Sequence, residues 1–199
     1  MTKTIGIVLF PDFEDLDAIG PKEVFGMFAL TNREWQVVTV SQDGEPVRSF
    51  LGTTIHTDHS FEDCPSLDVI LVPGGDGTRA EIQNPRMLEF VQEKGQGAQW
   101  VTSVCTGALV LAQAGFLTNR RATTYWAATS LLAAYPGVEV DDSARYVHDG
   151  NVISAAGVSA GIDMALYLVS LLTDGQTARN VQKMMEYYPK PPEFQGATA

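Results

Sequence analysis

Cysteine is nearly missing from this chain: Cys64 and Cys105 are the two thiols in 199 residues. Two thiols cannot build the dense disulfide framework of a small secreted domain, and a chain of this length can bury enough surface to fold without one. A reducing cytoplasm is the compartment expected. Basic side chains are also scarce, 13 Lys+Arg against 24 Asp+Glu. The net charge of -11 and the lack of any basic run would repel phosphate backbones, so nucleic acid is not an expected partner. Histidine is limited to His56, His59 and His148, and none lies in a cysteine cluster, so no metal is expected. Long apolar runs are missing too. The most apolar stretch, residues 162–172, is too short for a bilayer and carries Asp163 and Ser170, so no membrane is expected. The first residues, MTKTIGIVLFPDF, lack an apolar region followed by a small-residue cleavage site, so no signal peptide is expected.

What remains is a composition with 45% hydrophobic and 19% charged residues, apolar enough to form a core. Its length fits one domain, expected over residues 1–188, with a proline-rich tail over 189–199 that wraps the surface or stays disordered. Short β-branched runs alternate with helix-length segments, the pattern of a parallel sheet covered by helices on both faces. Strands are expected at residues 5–10, 35–40, 69–72, 99–104 and 121–124. A hairpin is expected over 146–156 around Asp149-Gly150, and short edge strands over 41–60. Helices are expected at 21–30, where Pro21 suits a first helical position, and at 106–116, 126–134, 159–172 and 176–187.

Three places carry possible chemistry. Ser103 to Gly107 (SVCTG) sets Cys105 between a buried strand and a buried helix, the outline of a nucleophile elbow. A helix N-terminus aimed at the sulfur would lower the thiol pKa from ~8.5 and supply thiolate. A small buried cysteine acting as a hydrophobe is the alternative. Pro73 to Gly77 (PGGDG) ends another short strand, and adjacent glycines there would let backbone N–H groups converge on a ligand as an oxyanion hole does. An ordinary tight turn is the alternative. Asp17, in LDAIGP, is expected in the loop after the first strand, at the carboxyl ends of the strands where such sheets bind ligands. It would serve as acid or base there, or simply cap a helix. Cys64 lacks any strand-to-helix setting and reads as structural.

In this order, these features resemble the ThiJ/PfpI superfamily and, within it, the isonitrile hydratase branch. The likeness runs through GIVLFPDFEDLDAIGP, DVILVPGG, VTSVCTGALVLAQAGFL, RRATTYWA, GVSAGIDMAL and VQKMMEYYPKPPEF. It implies a flavodoxin-like α/β three-layer sandwich with a mostly parallel sheet, assembled as a homodimer and needing no cofactor. It also implies that Cys105 is the nucleophile, Asp17 the acidic partner and Thr106 the residue after the nucleophile. Gly74 and Gly75 would line the oxyanion side, with Asp76, Tyr125, Trp126 and Tyr187 binding substrate. Protease- and glyoxalase-type members place a histidine directly after the cysteine, and here that position is Thr106. Hydratase-like members read T-T-H-W where this chain has Thr123-Thr124-Tyr125-Trp126, so a histidine near the site is replaced.

The activity implied is hydration of a small-molecule isonitrile to an N-substituted formamide through a thioimidate on Cys105, with Asp17 moving protons. Glyoxalase, deglycase or amidase chemistry on a carbonyl substrate is the alternative enzyme class. A stress or ligand sensor whose cysteine is oxidised is the alternative outside enzymes.

Overall fold

The computed structural model describes residues 2–189, so the expected tail falls, from residue 190 on, outside the described residues. The chain begins with β1 (Lys3–Val8), buried from Thr4 onward because it lies inside a sheet covered on both faces. α1 (Asp15–Thr31) follows and starts well before the expected residue 21. Asp15 and Asp17 occupy its first turn, where carboxylates favour the exposed N–H groups. Pro21 therefore sits inside the helix, where its missing N–H leaves the carbonyl of Asp17 without its helical partner.

β2 (Trp35–Ser41) leads into a turn-rich region holding β3 (Val47–Arg48), β4 (Thr54–Ile55) and β5 (His59–Ser60). As expected, β3 and β4 pair as a small antiparallel hairpin, while β5 joins the edge of the main sheet beside β2. β6 (Val69–Val72) is wholly buried, and two helices follow where none was expected, α2 (Thr78–Glu81) and α3 (Pro85–Gly97). α3 has a regular start: the Asn84 side chain accepts a hydrogen bond from the Arg86 N–H, and Pro85 takes the first turn.

β7 (Trp100–Val104) and α4 (Gly107–Gln113) flank Cys105. The strand expected over 121–124 shrinks to β8 (Arg121–Ala122), since Thr123 and Thr124 turn inward and are buried. The helix expected at 126–134 breaks into a 3-10 turn (Trp126–Ala128) and the short α5 (Thr129–Leu132). β9 (Glu139–Val140) pairs with β8, and the expected hairpin forms from β10 (Tyr146–Asp149) and β11 (Val152–Ala155). α6 (Ala160–Leu172) and α7 (Gly175–Met184) close the described chain.

The main sheet has seven strands in the order β10-β11-β7-β6-β1-β2-β5, and every pairing is parallel except β10 with β11. Helices α1, α6 and α7 pack together on one face, and α2 to α5 cover the other. This is the expected flavodoxin-like sandwich. Strand order reverses at β1, so the loops after β1, β6 and β7 gather at the carboxyl edge of the sheet, where such folds hold ligands. No helix among the described residues is long and apolar enough to cross a membrane.

Candidate active site

Cys105 leaves β7 with φ +57, a left-handed conformation that costs a non-glycine residue about 1–3 kcal/mol. Three hydrogen bonds hold the turn: Cys105 N–H donates to Ala155 O at 3.0 Å, and its carbonyl accepts from Thr124 Oγ1 at 2.7 Å and Ala108 N at 3.3 Å. A side chain at Gly107 would run into the Val72 carbonyl, so a glycine is needed for α4 to lie so close to β6. The elbow expected from SVCTG is therefore present, and Cys105 is nearly buried at its corner.

Asp17 reaches the same point from the first turn of α1 rather than from a loop. It is fully buried. One carboxyl oxygen accepts from Gly74 N at 2.9 Å and the other from Val158 N at 3.0 Å, and the carboxyl lies beside the Cys105 thiol. Burial pushes its pKa up from 3.8 to about 7, against the lowering effect of its donors. The thiol differs from its expectation. Burial, and then the charge of Asp17, raise the Cys105 pKa above that of an ordinary thiol, and the lowering contacts from the Thr106 N–H and hydroxyl do not offset them. Cys105 and Asp17 are two largely buried acids side by side, so protonation of one affects the other.

Thr106 and the two glycines form the other wall. Gly75 N–H donates to Thr106 Oγ1 at 3.0 Å, and the Thr78 hydroxyl stands 3.1 Å from the same oxygen and 2.7 Å from Gly75 O. The N–H groups of Gly74 and Gly75 expected to form an oxyanion hole are thus engaged by Asp17 and Thr106. Gly75 lines the cavity beside Cys105, and the two N–H groups position the acid and the hydroxyl. A Cβ at Gly74 would stand 2.6 Å from Thr106 N and 2.7 Å from Cys105 Cβ, which fixes glycine there.

The sulfur opens into a cavity of about 280 Å³. Glu14, Phe50, Tyr125, Val158 and Thr106 surround it, with Gly75, Asp76 and Arg79 at one side. Asp76 and Arg79 pair at 2.7 Å. Burial, with a contribution from Asp15, raises the Glu14 pKa.

Two expected substrate contacts fall elsewhere. Trp126 is 74% exposed and meets the site only through its ring contact with Tyr125, at 5.5 Å between centroids, because the 3-10 turn points it to solvent. Tyr187 lies beyond α7 and donates its hydroxyl to Asp163 at 2.9 Å, in a separate groove beside Arg145 and Tyr146. Sequence reasoning overlooked Val158, whose left-handed backbone, φ +45, aims its N–H at Asp17. It also overlooked Thr124 and Glu14, which lie inside the quoted stretches RRATTYWA and GIVLFPDFEDLDAIGP without being singled out, and Thr78, which directly follows PGGDG. Gly157 to Gly161 spells G-x-S-x-G, the hydrolase elbow pattern, so a reading of the chain as lacking that motif is incorrect. Ser159 there is exposed and engaged by Arg145, and Cys105, not Ser159, lines the cavity.

A family model described as the DJ-1/PfpI family matches residues 3–171. The chain is 42% identical to isonitrile hydratase of Pseudomonas putida over 197 residues, covering 99% of this chain and 84% of that protein. It is 28% identical over 187 residues to the HTH-type transcriptional regulator CdhR of Pseudomonas aeruginosa, covering 92% of this chain and 54% of the regulator. Among solved structures, a ThiJ/PfpI family protein from Pseudomonas syringae superposes with a TM-score of 0.90 at 35% identity, covering 99% of this chain and 80% of that one.

Proposed function

The chain belongs to the DJ-1/PfpI family, and from that premise we propose that it is an enzyme hydrating isonitriles to N-substituted formamides at Cys105. The observation that carries the reading is a buried carboxyl, Asp17, sharing protons with an elbow thiol that is followed by a threonine. The 42% identity to an isonitrile hydratase over nearly the whole chain supports it.

The terminal carbon of R-N≡C must receive both a nucleophile and a proton, and the pair supplies both. As Sγ bonds to that carbon, the thiol proton held between sulfur and Asp17 goes to the same carbon, giving the thioimidate R-N=CH-S-Cys. Water then adds across the C=N bond, one proton reaching nitrogen. The adduct R-NH-CH(OH)-S-Cys collapses to R-NH-CHO as its hydroxyl proton returns to sulfur by way of Asp17. Atoms balance: one isonitrile and one water give one formamide, and the thiol is regenerated. Asp17 has no surface in the cavity, so it acts through the sulfur and the carbon bound to it. Glu14, in the cavity wall, is placed to hold the attacking water. Thr106 has no ionisable group near neutrality and serves as a hydrogen-bonding side chain.

Phe50, 53% exposed beside the cavity, and Leu51 next to it support a homodimer as part of this proposal, to be checked by sedimentation. The activity is tested by incubating the protein with an alkyl and an aryl isonitrile and following formamide by mass spectrometry. Turnover lost in Cys105→Ala is expected. Efficient methylglyoxal consumption without isonitrile turnover would replace this reading with carbonyl chemistry.

A further inference from the structure

A second cavity, of about 460 Å³, lies at the carboxyl ends of β1 and β2, under the junction of α2 and α3. It shares no lining residue with the Cys105 cavity, and the segment running from Phe10 to Phe13 separates the two. Its volume is in the range of small-molecule sites. Leu9, Phe10, Val47 and Met87 give it apolar walls.

One polar group is built into those walls. Glu81 is only 8% exposed, and one of its carboxyl oxygens accepts from Asn84 Nδ2 at 2.8 Å. The same Asn84 nitrogen donates to Gln42 Oε1 at 2.9 Å, so both of its protons are spent locking Glu81 and Gln42 in place. Glu81 lines the cavity, and its other carboxyl oxygen, Oε1, accepts from no donor among the described residues. Burial raises the Glu81 pKa, as it must for a carboxylate lacking a cationic partner. The other charges of the lining are mixed, Asp43 and Glu45 acidic and Arg48 basic. Glu45 adds a second carboxylate, while Asp43 is paired with Arg86 at 3.1 Å. Arg48 contributes to the wall, and its guanidinium rests against the hairpin turn at Gly52.

We propose that this cavity binds an organic amine, its ammonium group on Glu81 and its apolar body against Leu9, Phe10, Val47 and Met87. An ammonium supplies the charged donor that the half-satisfied carboxylate lacks, and a charge-assisted hydrogen bond is the strongest contact the site can make. An anion would meet Glu81 and Glu45, and a purely apolar molecule would bury the carboxylate unpaired.

Cyclohexylamine, cationic at neutral pH, and cyclohexanol, its uncharged isostere, test the site by calorimetry on the full chain. The titration is repeated after Cys105 has been capped with iodoacetamide. Cyclohexylamine is expected to bind in the millimolar range or tighter, equally well to capped and uncapped protein, and at least tenfold more tightly than cyclohexanol. Glu81→Gln, which keeps the bond from Asn84, is expected to weaken the amine about tenfold, the difference between a charged and a neutral hydrogen bond. No saturable binding of the amine would overturn the proposal, as would equal affinity for the alcohol or unchanged affinity in Glu81→Gln. Binding lost on capping Cys105 would move the amine to the catalytic cavity and would also overturn it. The comparison of amine with alcohol needs no variant, so a misfolded Glu81→Gln would not remove the test.

Discussion

Replacing Asp17 with asparagine should make the protein inactive and, at mildly alkaline pH, more stable. Folding raises the Asp17 pKa from 3.8 to about 7, chiefly through burial. The folded state therefore holds a proton that the unfolded state has released between those two values, so stability falls as pH rises through that window. At about 1.36 kcal/mol per pKa unit, the full penalty above pH 7 is about 4 kcal/mol. Asparagine does not titrate and escapes this penalty. It loses something else: both carboxyl oxygens accept backbone N–H groups, from Gly74 and Val158, and an amide has one oxygen to offer. One N–H would then face the amide NH2, at a cost of about 1–3 kcal/mol that is the same at every pH.

The two effects separate by their pH dependence. From pH 4 to pH 8 the unfolding free energy of Asp17→Asn should gain about 4 kcal/mol on that of the wild type, starting below it and ending above it. The carboxyls of Glu14 and Glu81, also raised by burial, are present in both proteins and cancel in the difference. Urea melts at closely spaced pH values read this directly through the midpoint. Isonitrile turnover should meanwhile fall by about 10² to 10⁴, the usual share of a general acid. Parallel stability profiles for the two proteins would refute the desolvated carboxyl, and with it the proton source of the mechanism.

Cys105→Ala should abolish turnover. Iodoacetamide should modify Cys105 faster than Cys64 although burial raises both thiols, because the Cys105 sulfur opens into a cavity and has Asp17 beside it to take the proton as the bond to carbon forms; equal rates by peptide mass mapping would contradict the pairing. Thr124→Val removes the hydroxyl donated to the Cys105 carbonyl, so the strained elbow should relax, with kcat falling about tenfold or more and Thr124→Ser restoring it. A valine variant with unchanged kcat would free Thr124 of any positioning role. Thr106→Val should slow hydration without moving the pH profile, because its hydroxyl positions groups and does not titrate; a displaced profile would show that Thr106 tunes the Cys105–Asp17 pair.

The inner strands were readable because a parallel sheet covered on both faces demands nearly continuous apolar runs, and β6 meets that demand fully while β1 meets it from Ile5 to Val8. The misread pieces each have a local cause. α1 begins in the acidic run of residues 12–17, which looks like a solvated loop until its carboxylates are seen at a helix N-terminus. α3 buries Met87, Phe90, Val91 and Gly95, a sparse stripe among Arg, Glu, Gln and Lys, and Asn84-Pro85 was the available sign of its start. Two adjacent threonines, Thr123 and Thr124, look like strand residues, whereas tertiary contacts with Ser154 and Cys105 pull them out of β8.

The site shows a deeper limit. A strand-turn-helix motif locates a thiol, but the proton affinity of that thiol belongs to its surroundings. Viewed alone, the SVCTG corner suggests a free thiolate, since a helix N-terminus faces the sulfur. The fold instead brings Asp17 against it from α1, with Gly74 and Val158 holding the carboxyl from the far side. Burial then raises both acids, and a proton stays with the pair where a lone elbow cysteine would have lost it. For most electrophiles this would be a handicap, because the nucleophile is partly quenched. For the proposed isonitrile hydration it is a match, since the carbon attacked by sulfur must also be protonated before a thioimidate can form. A thiolate with no neighbouring acid would attack and have no proton to deliver, so in that proposal the raised pKa of Asp17 counts as much as the sulfur does.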